Sequence, residues 1–147
     1  MNIEYLVKKE QITTVVNRLF TYTDSRNWEG LLQEILAPKV FFDMSSLGAG
    51  EPSLVDAKQI VMGWEQGLQP VEAIHHQAGM YEIRINHEGA DLFCYGVAYH
   101  YKKNPSGNNT RIFVGSYDLH LTESPGGWRI DKFTFHCKFV DGNLQLT

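Results

Sequence analysis

Asp24 and His76 are the residues of this sequence best suited to acid–base chemistry. Histidine side chains titrate near neutral pH, so an imidazole can give or take a proton when one partner holds its tautomer. Asp24 could be that partner, and it lies in a polar corner, FTYTDSRNW (residues 20–28), between two helical patterns. The pairing favours enolisation or elimination of water. Two structural alternatives stay open: Asp24 caps the second helix, and His76 is a hydrogen-bonded core histidine.

Further polar and aromatic side chains could complete such a site. Thr134 and His136 share a face of the last predicted strand, and His136 could close a group with His76 and Asp24. Two histidines and one carboxylate form a metal triad in some enzymes, but no local spacing supports one here, so we expect no metal. Tyr22 and Trp28 flank the corner and either wall a pocket or pack between helices. Solvent or interface positions are expected for the remaining histidines, which are His75, His87, His100 and His120.

The composition describes one globular domain, residues 1–147, with a net charge of −4. Its lysines and arginines form no clustered basic face, which argues against a nucleic-acid partner. No apolar run approaches the length of a membrane span, and the N-terminus does not resemble a secretion signal. Cys94 and Cys137 share no metal-ligand spacing and are expected to be reduced thiols in the cytoplasm.

Apolar residues at helical spacing predict three helices in the first half of the chain. The first covers residues 3–20, and the second starts at Trp28 and ends at Pro38. A short strand is expected over residues 39–44. Ser53 and Asp56 resemble a capping box that opens a third helix, which Gly67 and Pro70 close.

After residue 73 the apolar period changes from 3.6 to 2. Four long strands are predicted over residues 74–86, 90–103, 109–122 and 127–139, separated by turns rich in Gly, Asn and Pro. Helices followed by a meander of long strands predict an α+β fold in which three helices cover one face of a curved antiparallel or mixed sheet. Such a sheet encloses a conical cavity between itself and the helices, and this cavity is the expected place for function.

The order of these features resembles the SnoaL-like branch of the nuclear transport factor 2-like superfamily, a cystatin-like fold. The resemblance rests on the corner ending in Asn27-Trp28, the run LAPKVFFD, a third helix, the pair His75-His76 and the closing GGWRID strand. It covers nearly the whole chain. The related proteins include polyketide cyclases, scytalone dehydratase, steroid isomerases and non-catalytic subunits, so the fold does not determine one activity.

Scytalone dehydratase is similar at the corner, where Asp24 matches an acid that orients a histidine, and His76 matches that histidine. A pocket tyrosine of that enzyme corresponds to Met44, and a second histidine corresponds to Val97. If Val97 faces the cavity, alternation along the strand brings Tyr95 and Tyr99 to the same face. The small-residue face of that strand, which includes Gly96, would then pack against a second copy of the sheet.

The resemblance implies a cofactor-independent enzyme that acts on a hydrophobic cyclic or polyketide-like carbonyl compound. His76 would serve as general acid or base with Asp24 orienting it, giving dehydration, isomerisation or cyclisation. The alternative is a non-catalytic ligand-binding or accessory subunit. A homodimer through the outer face of the sheet is expected. Residues expected to contact the substrate are Tyr22, Trp28, Phe42, Met44, Trp64, Tyr95, Val97, Tyr99, Thr134 and His136.

Overall fold

Helix α1 (Ile3–Asp24) runs one turn beyond its predicted end. The computed structural model of the chain describes residues 2–146. Asn2 caps the helix by accepting a hydrogen bond from the backbone N–H of Tyr5 at 2.8 Å. The buried face carries the predicted apolar residues, among them Ile12, Val16 and Leu19. The additional turn brings Asp24 to the end of the helix and toward the sheet.

The second helix is short and changes its winding. Helix α2 (Trp28–Gly30) continues as a π-helical turn, Leu31–Ile35. Strand β1 (Leu36–Asp43) follows at once, so Pro38 lies inside the strand and not at a helix end as predicted. On one side, β1 pairs with the strand that contains Ile130 and Lys132, and this pairing is interrupted between Leu36 and Phe41. A hydrogen-bond ladder that is interrupted at this point tolerates a proline.

The predicted capping box is wrong. Residues Ser53–Asp56 form strand β2, which pairs antiparallel with β1, and helix α3 spans Ala57–Leu68. Asp56 stands at the N-cap position without a side-chain capping bond, and its carboxylate instead contacts the Lys39 ammonium at 2.8 Å. The helix still buries Ala57, Ile60 and Val61 as its spacing predicts.

Four long strands complete the chain close to their predicted bounds. They are β3 (Ala73–Asn86), β4 (Gly89–Tyr101), β5 (Thr110–Ser124) and β6 (Gly127–Gly142). The six strands form one sheet in the order β2-β1-β6-β5-β4-β3, in which β1 runs parallel to β6 and the other pairs are antiparallel. The fold is α+β, with three helices and one curved mixed sheet, as predicted.

The core lies between the helices and one face of the sheet. On β4 this inner face carries Leu92, Cys94 and Ala98, each at most 7 % exposed. Gly96 lies on the same face, beneath the ring of Tyr117, which a Cβ at this position would contact too closely. The small residues of β4 therefore point into the fold and do not form an outer packing surface.

Within residues 2–146 no helix has the length and apolar character needed to cross a membrane.

Candidate active site

Asp24 and His76 form a hydrogen-bonded pair between the end of α1 and the start of β3. The His76 ring nitrogen Nδ1 lies 2.6 Å from Asp24 Oδ1, and the backbone N–H of His76 donates to Asp24 Oδ2 at 2.9 Å. Both carboxylate oxygens of Asp24 thus accept from one residue. Asp24 is therefore not the cap of the second helix: Asn27 Oδ1 accepts from the backbone N–H of Gly30 at 2.9 Å and fills that role.

The corner between α1 and α2 is held against α3 by Arg26. Its guanidinium donates to the backbone oxygen of Leu68 at 3.0 Å and to that of Val71 at 2.6 Å. Arg26 has a φ of 60°, in the left-handed region that non-glycine residues enter at a cost. The two carbonyl contacts offset that cost and fix the turn that follows Asp24.

An apolar cavity of about 260 Å³ lies between the helices and the inner face of the sheet. Its wall is formed by side chains of α1, α3, the loop after β1 and four strands. The lining residues are Leu19, Phe20, Thr23, Met44, Leu47, Gly63, Trp64, Gly67, Leu68, His76, Ala98, His100, Arg111, Phe113, Tyr117, Phe133 and Phe135. Most of this surface is hydrocarbon, which suits a hydrophobic ligand.

His76 contributes its ring to this wall in a defined tautomer. Because the ionised carboxylate of Asp24 can only accept, Nδ1 carries the proton and Nε2 of the neutral ring carries the lone pair. The His76 side chain is 13 % exposed, and its ring lies 5.4 Å from that of Phe20, centroid to centroid. The arrangement can therefore accept a proton at Nε2, with the resulting charge stabilised by Asp24.

A second histidine, His100, lines the same cavity together with Arg111. The Arg111 guanidinium donates to His100 Nδ1 from Nη2 at 2.9 Å and from Nε at 3.3 Å. Burial, followed by the charges of Arg111 and His76, lowers the pKa of His100 to about 4. His100 is thus neutral at pH 7, and because Nδ1 accepts, Nε2 bears the proton.

The expectation that His100 lies at a solvent or interface position is wrong, because its strand presents the opposite face to the cavity from the one predicted. The signal that would have found His100 and Arg111 is the register: they are directly opposite each other on β4 and β5. Assigning the small-residue face of β4 as the inner face would have placed both in the cavity.

Tyr117 also lines the cavity, and no local sequence pattern predicts this position. Its ring packs against Phe20 and Phe135, with centroid distances of 5.1 and 4.8 Å, and burial raises the pKa of its hydroxyl.

Of the predicted substrate contacts, Met44 and Trp64 line the cavity. Phe42 lies behind them, stacked on Phe133 at 5.3 Å between ring centroids. Tyr22 points away, donating from its hydroxyl to Glu34 Oε2 at 3.0 Å. Trp28 packs between the main core and the smaller apolar cluster that contains Leu68 and Leu146.

The prediction that Tyr95, Val97 and Tyr99 face the cavity is wrong. These residues occupy the face of β4 opposite to Ala98 and His100, and Tyr95 is 47 % exposed. The ring of Tyr117 already fills the space over Gly96, so only small residues fit on the inner face at this level of β4.

Thr134 and His136 likewise lie on the outer face, alternating with Phe133 and Phe135, which line the cavity. His136 Nε2 contacts Asp118 Oδ2 at 2.8 Å, so the group of His76, Asp24 and His136 does not form. Among residues 2–146, no three His, Cys, Asp or Glu side chains gather in an arrangement that could hold a metal ion.

The chain matches a model of the SnoaL-like domain over residues 4–134 and belongs to this family. The fold is similar to that of solved structures at low identity. Kfla4162 protein from Kribbella flavida is 16 % identical with a TM-score of 0.88, the match covering 93 % of this chain and 95 % of that one.

Two hexachlorocyclohexane dehydrochlorinases have a similar fold. LinA type 2 is 12 % identical with a TM-score of 0.79, the match covering 97 % of this chain and 93 % of that one. LinA-type3 from Novosphingobium barchaimii is 11 % identical with a TM-score of 0.75, the match covering 98 % of this chain and 95 % of that one. No curated protein sequence matches the chain significantly.

Proposed function

We propose that this protein is a small-molecule enzyme that transfers a proton on a hydrophobic cyclic or polyketide-like carbonyl compound without a cofactor. The observation that carries the proposal is the Asp24–His76 pair in the wall of an apolar cavity, with the unprotonated ring nitrogen Nε2 free of the carboxylate. A base held by a carboxylate and shielded from water is suited to abstract a proton from carbon.

The reaction begins when His76 Nε2 takes a proton from the carbon next to the substrate carbonyl. The C–H electron pair forms a C=C bond, and the carbonyl oxygen becomes an enolate oxygen. In a dehydration, the enolate then expels a hydroxyl group from the β-carbon, and the proton on His76 leaves with it as water. In an isomerisation or ring closure, His76 returns the proton to another atom. Asp24 holds the imidazolium between the two steps.

The size and lining of the cavity support a compact apolar substrate. Its volume of about 260 Å³ lies just below the range of roughly 300–1,000 Å³ that drug-sized ligands use, so one or two fused rings fit. Trp64 and Phe133, whose ring centroids are 5.6 Å apart, offer flat surfaces for such rings.

Exchange of carbon-bound hydrogen for deuterium tests the chemistry before the product is known. We expect the protein to catalyse exchange at the α-carbon of at least one member of a panel of cyclic ketones in D₂O. NMR measures the rate at which the α-proton signal disappears. His76→Gln should lower the exchange rate by about 10²–10⁴-fold, because it removes the base. Asp24→Asn should lower it too, since an amide does not stabilise the imidazolium.

The outer face of the sheet offers a matched control. His120 Nδ1 lies 2.6 Å from Asp131 Oδ1, the same separation as in the Asp24–His76 pair, but outside the apolar cavity. His120→Gln should leave the exchange rate unchanged. A folded His76→Gln variant, verified by circular dichroism, that exchanges as fast as the parent protein would exclude His76 as the base.

A non-catalytic ligand-binding or accessory subunit is the second candidate. The apolar wall that includes Leu19, Met44 and Phe113 supports it, because such a wall binds hydrophobic compounds without any chemistry. The two functions differ in the same experiment. A binding module retains ligands from the panel, yet shows no exchange with or without His76.

We also propose that the protein is a cytoplasmic homodimer joined through the outer face of the sheet. Exposed apolar side chains on that face, such as Tyr95 and Phe139, at 47 % and 54 %, support the dimer. The two free cysteines, Cys94 and Cys137, fit a reducing compartment.

A further inference from the structure

Arg111 places a positive charge in the wall of the cavity without a counter-charge. Its guanidinium carbon lies 5.6 Å from the ring centroid of Phe113, another residue of the cavity wall. Among residues 2–146 no carboxylate lies within ion-pair distance of Arg111, and its Nη1 has no hydrogen-bond partner. An arginine in a partly buried, apolar setting gains most from an anion that binds it with two N–H donors.

His100 extends this donor surface. Because its Nδ1 accepts from Arg111, its Nε2 carries a proton and can only donate while the ring is neutral. The pair therefore offers hydrogen-bond donors and no free acceptor. Such a set recognises an oxygen that bears negative charge, and it rejects groups that are themselves donors.

His100 lies one strand away from the proposed base, and Arg111 lies two strands away. His76 pairs with Ala98 on β4, and His100 is two residues further along the same face, directly opposite Arg111 on β5. Diagonal neighbours on a sheet are roughly 7–8 Å apart, which is about the width of one six-membered ring. A single ring can therefore span from His76 to the donor of His100, and Arg111 lies one strand further along the same wall.

We propose that His100 and Arg111 form an anion-binding subsite, so that the substrate is an apolar ring compound whose oxygen at the far end from His76 is anionic. That the bound ring compound is a substrate rests on the proposed function, whereas the subsite itself concerns binding alone. The anionic oxygen has two sources to distinguish, a carboxylate already present on the compound and the enolate oxygen formed during proton transfer.

Two probes of equal shape test the subsite. Naphthalene-2-carboxylate is anionic at pH 7.5, and naphthalene-2-carboxamide is neutral and carries a donor in place of one oxygen. Isothermal titration calorimetry should show the carboxylate bound about tenfold or more tightly. Arg111→Gln should remove this preference while the amide affinity stays within about twofold, and Arg111→Lys should retain part of it, because an ammonium keeps the charge without the planar fork.

Arg18→Gln is the matched control, since it also removes one positive charge but from the exposed surface of α1. It should leave both affinities unchanged. Equal affinities of the parent protein for the two probes would overturn the subsite, as would equal losses for both in Arg111→Gln or the absence of saturable binding.

His76→Gln separates this inference from the proposed function. In that variant the preference for the carboxylate should persist, whether or not His76 is the catalytic base. Once a substrate is known, Arg111→Gln distinguishes the two sources of charge: a raised KM with unchanged kcat indicates a substrate carboxylate, and a lowered kcat indicates the enolate oxygen.

Discussion

At the residue scale, the site depends on two histidines that neighbouring groups hold in opposite tautomers. Asp24 accepts from Nδ1 of His76 and leaves Nε2 as a base, whereas Arg111 donates to Nδ1 of His100 and leaves Nε2 as a donor. Two chemically identical side chains thus present a lone pair and a proton donor to the same cavity. The partner of each ring determines its role, and neither role follows from the residue type alone.

The protonation of His100 makes the free energy of unfolding depend on pH. Its pKa is lowered to about 4 in the folded protein by burial, Arg111 and His76, with Asp24 opposing, and an unfolded histidine titrates near 6.5. Between these values the unfolded chain binds the extra proton, so this contribution to stability is present above about pH 6.5 and is lost as the pH falls toward 4. Between pH 7.5 and 5 the loss should be about 1–2 kcal/mol.

Urea unfolding at both pH values measures this contribution. His100→Gln should reduce the difference in unfolding free energy between pH 7.5 and 5, because glutamine does not titrate. His87→Gln is the control, since the His87 side chain is 91 % exposed, and it should leave the difference as it is in the parent protein. The same difference in His100→Gln as in the parent protein would contradict a neutral, buried His100.

At this scale the sequence predicted one end of the cavity. Asp24, His76 and Met44 belong to local patterns in a corner, a strand start and a loop, and such patterns can be recognised without a fold. The inner face of β4 could not be recognised in this way, because alternation says which residues share a face but not which face is inner. Tyr117, distant in sequence, fills the space over Gly96 and decides it. His100 was therefore assigned to the wrong face.

At the scale of elements, the corner between α1 and α2 positions the carboxylate that holds His76. Four polar residues of the corner make different contacts. Thr23 donates to the backbone oxygen of Leu19 at 2.7 Å, Asp24 binds His76, Arg26 binds the end of α3, and Asn27 caps α2. These contacts hold α1 and α2 at a fixed angle to each other, which explains the polar residues between the two apolar patterns.

Replacing Arg26 tests how the corner between α1 and α2 is held. Arg26→Ala should lower the unfolding free energy by about 2 kcal/mol, because the backbone oxygens of Leu68 and Val71 lose their donors. Arg26→Gly loses the same bonds but relieves the left-handed backbone, so it should be about 1 kcal/mol more stable than Arg26→Ala. Urea unfolding compares the two, with the exposed Arg18→Ala as control.

An Arg26→Ala variant as stable as the parent protein would mean that the corner is held by its apolar contacts alone. The reverse order, glycine below alanine, would show that the flexibility of the unfolded chain outweighs the strain at this position.

Elements with a strong period of apolar residues could be predicted from the sequence. Elements whose position depends on pairing with another strand could not. The helical spacing of α1 and the alternation of β3 to β6 predicted bounds within a few residues. Ser53–Asp56 satisfies a local capping pattern, yet these residues pair with β1, whose register no local signal shows. The position of β1, parallel to β6, depends in the same way on a strand that lies about ninety residues later in the chain.

At the scale of the whole molecule, the sheet separates an inner face that encloses the cavity from an outer face with exposed apolar groups. On the outer face Val97, Val114 and Phe139 are paired across β4, β5 and β6, and Tyr95 lies beside them with the Lys138 ammonium 4.3 Å from its ring centroid. Apolar side chains that adjoin one another on an otherwise polar sheet face favour association with a second copy.

A charge introduced into this outer face should separate the proposed dimer. Light scattering coupled to size exclusion should give a mass twice the 16.8 kDa of one chain for the parent protein. Tyr95→Glu should give the mass of one chain, because it removes an apolar ring from the proposed contact and adds a carboxylate that would lose its hydration on association. Met62→Glu changes another exposed apolar residue, on α3, and should remain dimeric. A dimeric Tyr95→Glu variant would place the contact on another surface. A monomeric parent protein would exclude the dimer, and the inner cavity would then function within a single chain.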